Sequence, residues 1–274
     1  SMEHFFALPD EQKLVIDKRR SPHFRGWEAE GAEQTNNRPD IRQQIDLWTE
    51  WPARPSDAEP AWLRLLGPNQ WLSDEVLPGQ RTLVLEWMSE LGQLADRLLG
   101  LLSLGLGLDE RHLERFFGDE PMSLTKLISY PPTPTGGAGV NAHHDTGFLT
   151  VLATGPTPGL QVQNPAGDWI EVPPRPDGFV INLGEMLQAM TGNYFVATPH
   201  RVITTQPRLS AAYFHGPSLD AELEPLPLAP RFRDAVAASP RHRAAGFMAG
   251  RDETDAGVGD MESARRADTY GEQL

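Results

Sequence analysis

His143-His144-Asp145 and the distant His200 are the residues of this chain best suited to chemistry. Two imidazoles and one carboxylate can occupy one triangular face of an octahedral metal and leave the opposite face open. That donor set suits non-haem Fe(II), which needs free positions for a cosubstrate and for O2. In an extended strand, residues i and i+2 point the same way, so His143 and Asp145 converge while His144 turns aside. For His144 to take the place of His143, a carboxylate would be needed at position 146, which is Thr146. A lone His-x-Asp is a weak signal in a chain with 8 histidines. Context strengthens this one: the Gly-rich turn from Thr135 to Val140 leads into it, and the strand-like Phe148-Leu-Thr-Val-Leu152 follows. His200 lies 55 residues beyond Asp145, directly after Thr198-Pro199, where another strand is expected to begin. His4, His23, His112, His215 and His242 have no carboxylate at strand spacing and read as ordinary structural histidines.

Arg208 and Ser210 form a second constellation, again at i and i+2. A planar guanidinium and a hydroxyl on one strand face make a short anion receptor, the Arg offering a fork to a carboxylate. Ala212 and Phe214 continue that face with apolar surface, as in a barrel interior. Tyr130, at the end of its strand before Pro131-Pro132, can aim its hydroxyl at the same anion or stand as a half-buried rim residue. Lys126, on the same face as Tyr130, reads as a solvated charge. Asn182 and Glu185, in Asn-Leu-Gly-Glu, read as shaping a tight turn, with support of the metal ligands as the alternative.

Short strands separated by Gly/Pro turns position these residues. The expected strands are Leu124–Tyr130, Phe148–Ala153, Gly159–Gln163, Trp169–Val172, Phe179–Leu183, Arg201–Thr205 and Leu209–Phe214. Many short strands at regular spacing indicate a sandwich or jelly roll rather than a parallel sheet. Ahead of them, Val84, Trp87, Met88, Leu91, Leu94, Ala95, Leu98, Leu101 and Leu102 repeat at helical spacing, ended by Gly105 and Gly107. Asp109 is expected to cap a short helix through Phe117. The organisation read from this is a helical N-terminal region over 1–117, a catalytic β core over 118–218 and a C-terminal loop or lid region over 219–274. Within the last, Gly246 to Ala267 has no periodicity and reads as a long loop. Ser1-Met2 reads as an expression scar.

Composition narrows the partners. A net charge of -14 argues against nucleic acid, whose phosphates require clustered Lys and Arg, and against an anionic membrane surface. With no cysteine, disulfides and thiolate metal sites are excluded, so a bound metal must rest on His, Asp and Glu. No apolar run approaches a membrane span, and no leader is evident. The expectation is a cytoplasmic protein, a monomer or weak homo-oligomer, acting on a small molecule.

Taken in order, the motifs resemble the Fe(II)- and 2-oxoglutarate-dependent oxygenases of the isopenicillin N synthase-like branch. The resemblance rests on Phe5-Phe6-Ala-Leu-Pro-Asp-Glu-Gln-Lys13, Leu66-Gly-Pro-Asn-Gln-Trp71, Tyr130-Pro-Pro132 and His143-His-Asp-Thr-Gly-Phe-Leu-Thr150. It continues through Gly159-Leu-Gln-Val162, Met190-Thr-Gly192, Thr198-Pro-His-Arg-Val202 and Arg208-Leu-Ser210. Ala212-Tyr-Phe-His215 is similar to the bacterial subgroup containing the ethylene-forming enzyme. The resemblance implies a mainly β fold with flanking α-helices, built on a double-stranded β-helix (jelly-roll) core. It implies Fe(II) held by His143, Asp145 and His200, with Arg208 and Ser210 on the distal carboxylate of 2-oxoglutarate and Tyr130 assisting. Members ordinarily begin with a further strand and helix and end in a C-terminal helix; this chain is expected to lack both.

Three activities are compatible with these residues. The leading one is a 2-oxoglutarate-dependent dioxygenase that hydroxylates a small molecule and releases succinate and CO2. The second is an isopenicillin N synthase-like oxidase that uses O2 without 2-oxoglutarate and turns the Arg-x-Ser pair toward its substrate. The third is a non-catalytic barrel binding a metal or small acid.

Overall fold

The computed structural model describes residues 2–133, 137–175, 177–239, 242 and 269–274. Among these residues, twelve strands run in sequence order. They are β1 (Gly26–Glu28), β2 (Gln34–Thr35), β3 (Arg38–Pro39), β4 (Gln43–Trp48), β5 (Leu124–Tyr130) and β6 (Ala138–His143). After these come β7 (Leu149–Ala153), β8 (Leu160–Gln163), β9 (Trp169–Glu171), β10 (Val180–Leu183), β11 (His200–Ile203) and β12 (Arg208–His215). The helices among the described residues are α1 (Met2–Phe6), α2 (Asp10–Lys13), α3 (Gln80–Gly105), α4 (Glu185–Met190), α5 (Pro230–Ala238) and α6 (Tyr270–Gln273).

The strands form a six-stranded sheet, in the order β1-β4-β5-β12-β7-β10, and a four-stranded sheet, β6-β11-β8-β9. Every pairing within both sheets is antiparallel. The chain passes repeatedly from one sheet to the other, and the turn at 204–207 joins β11 of the small sheet to β12 of the large one. Two facing antiparallel sheets of this kind are the expected jelly roll.

Two separate cores follow from the two faces of the large sheet. On its outer face, Ile45, Leu47, Leu127, Val151, Ala211 and Tyr213 pack with Val84, Met88, Leu91, Ala95 and Leu99 of α3. Those α3 positions recur every three or four residues, so one helix stripe meets one sheet face. Leu99 rather than Leu101 completes the stripe; Leu101 is exposed. Between the sheets lies a smaller apolar cluster of Ile128, Tyr130, Val140, Leu160 and Val202. Beside that cluster a cavity opens between the sheets, and that is where the site lies.

The segment read as a helical N-terminal region is corrected by the sheet. β4 pairs with β5 along its whole length and β1 pairs with β4, so residues before 118 supply the edge of the large sheet. Both faces of β4 are interior: Ile45 and Leu47 face the α3 core, while Gln44 and Asp46 are also buried. The Gly-rich stretch before His143 is likewise strand from Ala138 onward, paired with β11. The expected helix after Asp109 is a single 3-10 turn at Glu114–Phe117, entered after the Asp109 carboxylate accepts from the Arg111 N–H at 2.9 Å. The long loop expected over Gly246 to Ala267 lies outside the described residues. Among the described residues, no helix is long and apolar enough to cross a membrane.

Candidate metal centre and anion pocket

His143 closes β6 and His200 opens β11, and the two are direct partners in the antiparallel ladder. Their rings stand 4.2 Å apart between centroids. Each imidazole is fixed by a backbone carbonyl: His143 Nδ1 lies 2.8 Å from the Asn141 oxygen and His200 Nδ1 3.0 Å from the Thr198 oxygen. A carbonyl can only accept, so each Nδ1 carries a proton, and in the neutral ring each Nε2 has its lone pair free for a metal. Both Nε2 atoms face Asp145 Oδ1, at 3.8 Å from His143 and 3.5 Å from His200.

Asp145 sits just beyond β6 and is held from two sides. Thr150 Oγ1 donates to its Oδ2 at 2.5 Å, and Asn182 Nδ2 donates to the same oxygen at 2.6 Å. With Oδ2 engaged, Oδ1 is the atom presented to the two imidazoles. The backbone is clamped as well, because the N–H groups of Glu185 and Met186 at the start of α4 donate to the carbonyls of Asp145 and Thr146 at 2.8 and 3.1 Å. Gly184 makes that clamp possible: a Cβ there would stand 1.9 Å from the Gly147 carbonyl oxygen. His144 turns aside, as its spacing implies, with Nδ1 3.6 Å from Glu185.

The electrostatics suit a cation. Burial pushes the His143 imidazole down to about 4, with His200 adding to the effect, so it is neutral near pH 7. Burial opposes ionisation of Asp145, but His200, His143 and the Thr150 hydrogen bond outweigh it and hold the carboxyl below its ordinary range. Burial likewise works against charging His200, yet the Asp145 carboxylate dominates and raises it. One ligand atom from each of His143, Asp145 and His200 lies within 4.8 Å of the others, so the three can close on one ion. Asn182→Ala and Thr150→Val should each weaken metal binding about 10- to 100-fold, as the loss of ligand-orienting partners generally does. Anaerobic Fe(II) titration of each variant measures this.

The second constellation lies in the same cavity, of about 850 Å³. Arg208 pairs with Tyr130 across β12 and β5, and Ser210 with Ile128. The guanidinium lies 5.0 Å from the centroid of the Tyr130 ring, and Ser210 Oγ lies 3.5 Å from the Tyr130 hydroxyl. Tyr130 is fully interior, packed so closely on Gly139 that a Cβ there would come within 2.6 Å of its ring. Arg208 is 2 % exposed, and its Nε and Nη1 have no hydrogen-bond partner in the protein. A buried guanidinium with open donors is costly alone and calls for an anion. A carboxylate placed on Arg208, Ser210 and Tyr130 fits that demand.

A third group lines the cavity and was not anticipated. Lys126 is not a solvated charge: its Nζ meets Glu33 at 3.1 and 3.2 Å and the buried Asp46 at 3.1 Å. Lys18 donates to the same Asp46 oxygen at 2.8 Å and to Glu28 at 3.0 Å. Arg42 joins Glu33 to Asp40, each at 3.1 Å. Burial disfavours the charge on Asp46, but Lys126 and Lys18 hold its carboxyl below the ordinary range; for Glu33 the same burial is outweighed by Lys126 and Arg42. Burial also opposes the charge on Lys18, but Asp46 and Glu28 raise its ammonium well above the ordinary lysine value.

These directions fix the pH window. The carboxylate contribution is complete above the ordinary value of about 4 and lost as pH falls through the depressed values. The Lys18 contribution persists through the ordinary value of about 10.4 and fades only above it. Asp46→Asn should therefore cost about 3 kcal/mol at pH 7, since two largely buried ammonium groups lose their shared partner. The deficit should shrink toward pH 3, as read from urea unfolding of both proteins.

The ligand and anion-binding candidates are the residues the sequence singled out, brought together in one cavity. Thr150 escaped notice because it reads only as a strand residue. Asn182, read as a turn former, instead donates to Asp145. For Asp46 and Gln44 a signal existed, the alternation in Gln43-Gln-Ile-Asp-Leu-Trp48.

Comparison with known proteins gives a consistent picture. Residues 119–217 match the model of the 2OG-Fe(II) oxygenase superfamily, and residues 1–74 match that of the N-terminal region of non-haem dioxygenases in morphine synthesis. A 2-oxoglutarate-dependent dioxygenase of a Dothideomycetidae species is 34% identical over 230 residues, covering 80% of this chain and 61% of the relative. The chain thus spans less than two thirds of that relative. A homoarginine-6-hydroxylase of Arabidopsis thaliana is 32% identical over 232 residues, covering 81% of this chain and 68% of the relative. Among solved structures, a full-length Neurospora crassa protein in complex with alpha-KG superposes with a TM-score of 0.69 at 25% identity, over 82% of this chain and 72% of that one.

Proposed function

Since the chain belongs to the 2OG-Fe(II) oxygenase superfamily, we propose that it is an Fe(II)- and 2-oxoglutarate-dependent dioxygenase that hydroxylates a small molecule. The balance is one substrate C–H bond, one 2-oxoglutarate and one O2 in, and one alcohol, one succinate and one CO2 out. The observation that carries the reading is Arg208, buried with two unsatisfied N–H groups in the cavity that also holds the His143, Asp145 and His200 donors. A dicarboxylate cosubstrate needs both features together, a cation at one end and a charged fork at the other.

Fe(II), when bound, would supply activation of O2 coupled to oxidative decarboxylation of the 2-oxo acid. The chain's own residues supply the geometry. His143 and His200 would present Nε2, each fixed through its Nδ1–H, and Asp145 would present Oδ1, fixed by Thr150 and Asn182. Three protein donors leave the other coordination positions to small molecules. Arg208 and Ser210 would hold the distal carboxylate, with the Tyr130 hydroxyl beside it. The enclosing sheets keep water from competing for these donors.

Within the superfamily, the isopenicillin N synthase-like branch is the placement the ordered motifs favour; the dioxygenases compared above come from fungi and a plant, which gives no support to the bacterial ethylene-forming subgroup. Action on a small molecule in the cytoplasm, as a monomer or weak homo-oligomer, fits the acidic composition. The test is succinate formation from 2-oxoglutarate by the Fe(II)-loaded protein, with and without O2. Oxygen-dependent succinate is expected. Oxygen consumption with no succinate would replace this reading by the 2-oxoglutarate-independent oxidase.

A further inference from the structure

The inward face of the large sheet places two kinds of charge in rows. Arg208 and Tyr130 are paired across the sheet, and four residues further along Asp46, Lys126 and Ala212 lie side by side on β4, β5 and β12. Alternation puts both rows on the same face. Ala212 is small, so the second row leaves open space beside its ionised groups, further along β12 than the anion receptor. Lys18, Glu33, Arg42, Asp46 and Lys126 all line the cavity that contains the candidate metal ligands.

This wall retains capacity for a ligand. The side chains of Glu33, Lys18 and Lys126 keep 29%, 20% and 14% of their exposure, so both signs of charge remain accessible. Arg42 is 7% exposed and, beyond its pairs with Glu33 and Asp40, keeps an Nε with no hydrogen-bond partner. Each ammonium has three protons, and Lys18 spends two of them on Glu28 and Asp46. An apolar substrate pressed here would strip the remaining hydration from at least three ions and return nothing. A molecule bearing both charges replaces that water with ion pairs of its own.

We propose that this wall is the subsite for the oxidised substrate, which is a small zwitterion carrying an ammonium or guanidinium and a carboxylate. Glu33 meets the cationic group, and Lys18, Lys126 and Arg42 meet the carboxylate. The inference rests on the dioxygenase reading for which end of the cavity holds the cosubstrate.

The test is anaerobic calorimetry on the full chain loaded with Fe(II) and 2-oxoglutarate. The probes are L-lysine and L-arginine as zwitterions, butylamine and hexanoate as single charges, and benzyl alcohol as a neutral molecule. At least one zwitterion should bind about tenfold or more tightly than any other probe. Glu33→Gln should weaken that zwitterion about tenfold and leave hexanoate nearly unchanged; being partly exposed, this variant is expected to fold, which circular dichroism verifies. Lys126→Met should weaken both the zwitterion and hexanoate. Preference for benzyl alcohol, no binding of either zwitterion, or zwitterion affinity unaltered in Glu33→Gln overturns the assignment. Oxygen-dependent succinate release by the unaltered protein, measured alongside without any probe, reports separately on the dioxygenase reading.

Discussion

Asp145→Ala is expected to abolish Fe(II) binding at micromolar metal and to reduce 2-oxoglutarate turnover to background. The carboxylate is the only anionic donor of the three, and its loss also leaves the Thr150 hydroxyl and Asn182 amide buried without their acceptor. Two neutral imidazoles then remain to hold a dication. The loss should exceed the roughly 10- to 100-fold effect expected from the partners that merely orient the ligand. His200→Ala should behave the same way, because Nε2 of His200 and Oδ1 of Asp145 face each other at 3.5 Å from adjoining segments. Metal retained after anaerobic gel filtration, measured by elemental analysis, reads both variants directly. Near-stoichiometric iron in Asp145→Ala would show that the cation sits elsewhere.

Arg208→Ala should raise the apparent KM for 2-oxoglutarate with a much smaller change in kcat at saturation. Truncating one partner of a buried charge pair costs about 2–5 kcal/mol, which corresponds to roughly 30-fold to more than 1000-fold in affinity. Arg208→Lys should recover only part of the loss, since an ammonium cannot reproduce the planar fork or its stacking against Tyr130. Steady-state succinate formation across 2-oxoglutarate concentrations gives both constants. An unchanged KM in Arg208→Ala would instead direct the guanidinium at the substrate's own carboxylate, as in the 2-oxoglutarate-independent oxidase.

Both sets of residues were legible because strand geometry converts sequence spacing into direction. His143 and Asp145 stand two apart at a strand end, and Arg208 and Ser210 repeat that spacing eight residues after His200. Neither inference needs knowledge of what lies across the barrel. The charged wall does need it. Lys126 alternates with apolar residues on β5, and nothing in its own segment tells that Asp46, 80 residues earlier, pairs beside it. A lysine whose partners come from another strand and a loop cannot be told from a solvated one by local pattern. The same limit explains β4. Its alternation is clear, but polar residues mark a solvent face only when that face is outside, and here Gln44 and Asp46 are both buried, with Asp46 lining the cavity. Strand positions in the second half were readable because turn residues punctuate them; the helices there were not, since the α4 segment reads as a tight turn and α5 and α6 fall in the stretch that reads as a C-terminal loop or lid. The Gly-rich approach to His143 was not, because glycine signals a turn while Gly139 is in fact a strand residue spared a side chain beneath Tyr130.

The most direct test of the central claim is a crystal structure of the protein soaked anaerobically with Fe(II) and 2-oxoglutarate, with iron located by its anomalous signal. The account predicts one iron peak at bonding distance from His143 Nε2, Asp145 Oδ1 and His200 Nε2, with the far carboxylate of 2-oxoglutarate on Arg208 and Ser210. An iron peak away from these three atoms, or 2-oxoglutarate lying outside the reach of Arg208, would contradict it.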